Sequence, residues 1–143
     1  MAKELDIAAI EKIIPHRYPM LLIDRLIDLE EGKSATAIHN VSFSEKFVQA
    51  SSKCDPAFPS PLIVEAMAQT GAVALLSTSD FQGKTAYFGG IQKADFMREA
   101  RPGDQVVLKT ELTKIRKNIG VGKGIATIDG HKIAEAELTF MIG

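Results

Sequence analysis

Two polar side chains, Glu65 and Gln69, interrupt the first turns of an otherwise apolar run from Pro61 to Leu76. Four residues apart, they fall on one stripe of a helix. The run is apolar on nearly every side, which marks a helix buried all round rather than one lying on a surface. An unpaired carboxylate in such a place is costly, so Glu65 must meet a partner, face water in a cleft or take up a proton. The last two outcomes describe a group poised for acid–base chemistry. The first describes a structural glutamate, and the residues alone leave both open.

Few other side chains could share that chemistry. The histidines are His16, His39 and His131, and the lone cysteine is Cys54. With one cysteine there is no intrachain disulfide, and no spaced His/Cys cluster builds a structural zinc site. No metal and no cofactor is expected. Lys+Arg 17 against Asp+Glu 18 gives a net charge of -1, without a basic patch interleaved with aromatics, so nucleic acid is not an expected partner. The N-terminal residues lack the basic start and apolar centre of a signal peptide. The longest apolar run is too short, and too polar at Glu65 and Gln69, to span a bilayer. The expectation is a protein of the reducing cytosol, one domain over residues 1–143.

The surrounding elements follow from patterning. Asp6 caps a short amphipathic helix through Ile7, Ile10, Ile13 and Ile14 that Pro15 stops, and it should lie over the domain as a lid. His16-Arg17-Tyr18-Pro19 is a non-helical turn. Met20–Leu29 reads as a first strand and Lys33–Val41 as its antiparallel partner, joined through Gly32. Phe43–Ser60 reads as an irregular loop, rich in proline toward its end, and such a loop before a buried helix usually has a task. Ser60 suits the N-cap and Pro61 the first helical position, and the helix should run to about Ser79.

Strands then fill the remainder: Thr85–Phe96 with a bulge at Gly89-Gly90, Gln105–Ile115, Asn118–Ile128 and Lys132–Ile142. Arg101-Pro102-Gly103-Asp104 turns one pair, and Asp129-Gly130 is a two-residue hairpin signal. A long apolar helix with antiparallel strands on both sides in sequence indicates an α+β domain whose sheet wraps the helix.

Four strings narrow this further: Ile14-Pro15-His16-Arg17-Tyr18-Pro19-Met20-Leu21-Leu22-Ile23-Asp24-Arg25, Leu62-Ile63-Val64-Glu65-Ala66-Met67-Ala68-Gln69, Tyr87-Phe88-Gly89-Gly90-Ile91 and Arg101-Pro102-Gly103-Asp104-Gln105. In this order, across almost the whole chain, they resemble the 3-hydroxyacyl-acyl-carrier-protein dehydratases of the FabZ kind. The resemblance implies a hot-dog fold, in which a curled antiparallel sheet surrounds a central helix, usually as a dimer or a trimer of dimers. It also implies removal of water from a 3-hydroxyacyl thioester of acyl carrier protein to give the trans-2-enoyl thioester, in fatty acid or related lipid biosynthesis.

Such chemistry needs a base at the α-carbon, an acid at the leaving hydroxyl and a donor to the thioester carbonyl. In the family a His from one subunit and a Glu from the other supply the first two, and a backbone N–H at the helix start supplies the third. The resemblance assigns the Glu to Glu65 and the N–H to Ser60, and it places Phe58, Gln69, Tyr87, Phe88 and Gly89 along the acyl chain.

One string departs from the family. Counted back from Glu65, Pro56 and Pro59 stand in register, and the family's Gly-His-Phe-Pro-Gly then reads Ala50-Ser51-Ser52-Lys53-Cys54. Ser51 occupies the position of the catalytic His, and Phe58-Pro59-Ser60 that of a Met-Pro-Gly. A hydroxyl without a base beside it cannot do the work of imidazole near neutral pH. His16, in a string that resembles a structural part of the family, reads as a packing or hydrogen-bonding residue. His39 and His131 read as sheet or solvent residues out of reach of Glu65. Cys54 and Asp55 lie in the same loop, where they could supply a thiolate or a carboxylate, although a lone loop cysteine reads more readily as incidental.

Three functions fit these residues. The first is a FabZ-like protein whose dehydratase activity is impaired alone, or that gives Glu65 to a mixed site with a His-bearing paralogue. The second is a hot-dog thioesterase using Glu65. The third is a non-catalytic acyl-binding or scaffold subunit.

Overall fold

The computed structural model describes residues 3–143. Helix α1 (Ile7–Ile13) is capped as its sequence suggests, the Asp6 carboxylate accepting the Ala9 N–H at 2.9 Å, and it buries Ile10 against the domain. Strands β1 (Arg25–Glu30) and β2 (Ser34–Asn40) form a hairpin. Helices α2 (Lys46–Ser51) and α3 (Ser60–Leu76) follow, then β3 (Ala86–Phe96), β4 (Gln105–Arg116), β5 (Ile119–Ile128) and β6 (His131–Ile142). The strands make one antiparallel sheet in the order β1-β2-β4-β5-β6-β3. Its concave face holds α3, which touches all six strands. This is the hot-dog arrangement, with an open sheet that leaves β1 and β3 at its edges.

Burial of α3 dictates the rest. From Ala66 to Leu76 every residue of the helix is buried, so no face is left for water. The sheet approaches closely because small residues line the contact. A Cβ added to Gly71 would lie 2.8 Å from Thr110 Cγ2 and 2.9 Å from Phe140 Cζ, and one on Gly124 would lie 3.0 Å from Met67 Cβ. Buried Thr110 donates its hydroxyl to the Met67 carbonyl at 2.8 Å, so the polar atom that the sheet brings into the core is satisfied. At the β5–β6 turn, Asp129 and Gly130 both have positive φ, the type I′ geometry that the Asp-Gly pair anticipates.

Several boundaries differ from the sequence reading. Strand β1 begins at Arg25 rather than Met20. Through Met20–Leu22 the Met20 and Leu21 N–H groups turn back to the Arg17 carbonyl, and side chains take the rest: Gln69 Nε2 donates to the Met20 carbonyl, the Leu22 N–H donates to Gln69 Oε1, and the Leu22 carbonyl meets His39 Nδ1. Residues 46–51 are helical, where an irregular loop is expected. A six-residue helix carries too little periodicity to be read and too few internal bonds to stand alone. It persists because Val48 is fully buried and because Glu45, at its N-cap, is held 3.0 Å from His39 Nε2.

The start of α3 also shifts. Pro59 is the N-cap residue, Ser60 and Pro61 are the first two helical residues, and the Ser60 hydroxyl makes no capping bond. The helix ends at Leu76 rather than near Ser79, because Ser77 and Thr78 turn their hydroxyls back onto the Ala74 and Leu75 carbonyls and Gly32 donates its N–H to Ala74. No helix of the described residues is long and apolar enough to cross a membrane.

The closeness of α3 to β5 gives a direct test. Gly124→Ala should destabilise the fold by about 1–3 kcal/mol, because the added methyl meets the root of the Met67 side chain and not merely its flexible end. Urea unfolding followed by circular dichroism would measure it.

Candidate active site

Glu65 lies near the start of α3, where the helix has not yet passed fully under the sheet, and its side chain is 22% exposed. Gln69, one turn on, is 1% exposed, and both of its amide protons are used: one on the Met20 carbonyl at 2.6 Å, the other on Glu65 Oε1 at 3.2 Å. Its Oε1 accepts the buried Leu22 N–H at 2.8 Å. Gln69 is thus a clamp behind Glu65 that binds the 20–22 segment to the helix. It has no spare N–H for an acyl group.

The same clamp delivers His16. Arg17 donates to the Ile14, His16 and Glu11 carbonyls and pairs with the Glu11 carboxylate, which fixes the turn after α1. His16 Nε2 then sits 3.5 Å from Glu65 Oε1. The string around His16 reads as scaffold, yet the structure sets its ring against Glu65. The stripe of Glu65 and Gln69 was legible, but no spacing in the chain announces that residue 16 closes over it. The space beside the pair is lined by His16, Glu65, Ala68, Gln69, Ala72, Ala86, Phe88 and Phe140. About 20 Å³ of it is open to the centre of a water molecule, enough to admit one.

Phe88 lines that cavity, its ring centre 6.3 Å from that of Phe140. Tyr87, the next residue along β3, is 60% exposed and does not line it. Gly89 lies at a register shift between Phe88 and Gly90, where the bulge was expected.

Ser51 and Ser60 occupy a different place. With Ser52, Asp55, Ala57, Phe58, Pro59 and Glu99 they line an open groove of about 390 Å³, which shares no residue with the Glu65 cavity. Ser51 Oγ donates to the Val48 carbonyl at 2.7 Å and accepts the Ala57 N–H at 3.1 Å. Its hydroxyl closes the loop after α2, and among the described residues these two backbone groups are its hydrogen-bond partners. Ser60, as the first residue of α3, has an N–H without a partner inside the helix, as an oxyanion donor needs. Phe58 is 1% exposed and stacks at 4.4 Å on the ring of His39, so it forms the floor of that groove.

The remaining candidates are accounted for. His39 is buried, with Nδ1 on the Leu22 carbonyl and Nε2 on Glu45, so it ties α2 to the 20–22 segment and does not reach Glu65. Asp55 is engaged by Arg101, whose guanidinium this hydrogen bond and charge hold more firmly protonated than usual. Cys54 is exposed. His131 is exposed at the β5–β6 turn.

A sequence profile for the FabA-like domain matches residues 14–137. A 3-hydroxyacyl-[acyl-carrier-protein] dehydratase FabZ of Ligilactobacillus salivarius is 58% identical over 97% of this chain and 99% of its own length. The chain belongs to the FabZ dehydratase family. A second FabZ, from Clostridium botulinum strain Loch Maree, is 55% identical over 100% of this chain and 99% of its own. Among solved structures, the dehydratase heterocomplex ApeI:P from Xenorhabdus doucetiae superposes with a TM-score of 0.76 over 94% of this chain and 90% of that one, at 16% identity, a likeness of fold. Within the FabZ family, then, this chain carries the Glu65 cavity and the Ser51 groove at separate places in one subunit.

Gln69→Leu tests the clamp. It leaves the buried Leu22 N–H unpaired and should cost about 1–3 kcal/mol of stability, measured by urea unfolding.

Proposed function

We propose that this chain acts on 3-hydroxyacyl thioesters of acyl carrier protein, converting them to trans-2-enoyl thioesters in fatty acid or related lipid biosynthesis, in the cytosol. Glu65 gives its proton to the leaving hydroxyl, and the Ser60 N–H polarises the thioester carbonyl. The observation that carries this reading is the pairing of a carboxylate cavity with a helix-start groove on the scaffold of a family whose FabZ members, at 55–58% identity, are named for that reaction.

The two places lie apart in one subunit, so a site that uses both Glu65 and the Ser60 N–H needs a second subunit to bring one against the other. Strand β3 favours such pairing. It is an edge strand, and Tyr87, Ile91 and Phe96 stand exposed along it. In a homodimer each mixed site has Glu65 from one copy and Ser51 where imidazole belongs in the other, and turnover is impaired. In a heterodimer with a His-bearing paralogue, one of the two sites has both groups. The dehydratase heterocomplex among the fold neighbours is a precedent for unlike subunits on this scaffold.

Hydration of crotonyl-coenzyme A, followed by loss of its ultraviolet absorbance, tests this. Restoring the family string by Ala50→Gly, Ser51→His, Ser52→Phe, Lys53→Pro and Cys54→Gly should raise kcat by roughly 10²-fold or more. Co-expression of the unaltered chain with a His-bearing dehydratase should give a mixed dimer whose activity falls when Glu65→Gln is introduced into this chain. Release of free thiol would instead indicate a thioesterase, and stabilisation by an acyl ligand without turnover in any combination would indicate a binding subunit.

A further inference from the structure

His16 and His39 are both held by the crossing segment between α1 and β1, yet they treat their ring nitrogens differently. His39 spends both on protein acceptors, Leu22 and Glu45, as a structural histidine does. His16 does not. Its Nδ1 is buried without a protein hydrogen-bond partner among the described residues, and its Nε2 faces Glu65 Oε1 at 3.5 Å. The side chain is 25% exposed and borders the water-sized cavity. The other cavity residues are Ala68, Gln69, Ala72, Ala86, Phe88 and Phe140, none of which titrates, so His16 is the imidazole that can trade a proton with Glu65 there.

We propose that His16 and Glu65 form an acid–base pair within a single subunit, which gives the chain a low dehydratase activity of its own despite Ser51. This rests on the reading that the chain acts on 3-hydroxyacyl thioesters. In the step, the α C–H bond breaks and its proton passes to His16 Nε2 while the electron pair becomes the new C=C bond. The β C–O bond breaks as the Glu65 carboxyl gives its proton to the departing oxygen, which leaves as water. The imidazolium then returns its proton to the Glu65 carboxylate across their contact, and the pair is reset. A separation of 3.5 Å is long for a hydrogen bond, and catalytic contacts of this kind often shorten only when substrate is bound.

The structural alternative is that His16 merely packs. Crotonyl-coenzyme A hydration by the purified chain separates the two. The unaltered protein should turn over measurably faster than Glu65→Gln. His16→Gln should lower kcat by roughly 10²-fold, toward the Glu65→Gln level, while KM stays within a few-fold. His16→Ala should regain activity with added imidazole in a saturable manner, which a packing role would not allow, and thermal melting of both variants checks that they fold. Turnover no higher than that of Glu65→Gln would overturn the proposal, as would a His16→Gln protein as active as the parent, or a His16→Ala protein that imidazole does not rescue. The chain restored at residues 50–54 keeps the two readings apart. If it is active while the parent is inert, the in-subunit pair fails and the family chemistry stands. If neither turns over, alone or with a His-bearing partner, the dehydratase reading fails as well.

Discussion

A seventeen-residue helix without a polar face can exist in water only if something wraps it, and nearly every feature of this domain serves that need. The sheet curls because it must reach α3 from β1 to β3, and it comes close because Gly71 and Gly124 present no side chain at the contact. Wrapping is complete from Ala66 onward and incomplete at the first turns. Glu65 stands at that margin. It is buried enough for its neighbours to be few and chosen, and open enough to touch water.

Two polar nets hold the margin in place, and they are largely separate. Gln69 fastens the segment after α1 to the helix and thereby sets His16 against Glu65. His39 fastens α2 to that same segment through Glu45 and lays Phe58 beneath it, which sets the groove where Ser51 and Ser60 lie. The nets meet at Leu22, whose N–H goes to Gln69 and whose carbonyl faces His39. One residue's backbone thus joins the net behind the Glu65 cavity to the net beneath the Ser51 groove.

The long helix, the six strands and the two principal turns were legible in the sequence, because burial on all sides, strand alternation and turn chemistry are local signals. Helix α2 was not. Its stability comes from Val48 and from the His39–Glu45 contact, neither of which leaves a mark in six residues of sequence. The first strand starts later than its apolar residues suggest for a related reason: Met20–Ile23 resembles a strand, but the Arg17 carbonyl and the Gln69 side chain take hydrogen bonds that a neighbouring strand would. At the site, Glu65 and Gln69 announced themselves by being polar in an apolar run. The clamp that Gln69 makes on Met20 and Leu22, and the closure of His16 over Glu65, are not legible there, since contacts across more than forty residues leave no spacing to read.

The loop after α2 is stitched by the Ser51 hydroxyl to Val48 and Ala57, so the side chain at that position has a local job whether or not it takes part in chemistry. Selection for a folded subunit and selection for an imidazole therefore bear on residue 51 separately. Where a gene for such a subunit is duplicated, one copy is free to drift at this loop without losing its shape, provided the other keeps the group. In the mixed dimer proposed above, the copy that drifts remains under selection at Glu65, because its neighbour's site uses that carboxylate. A self-sufficient pair of like subunits becomes an obligate pair of unlike ones by loss alone, with no new contact having to evolve.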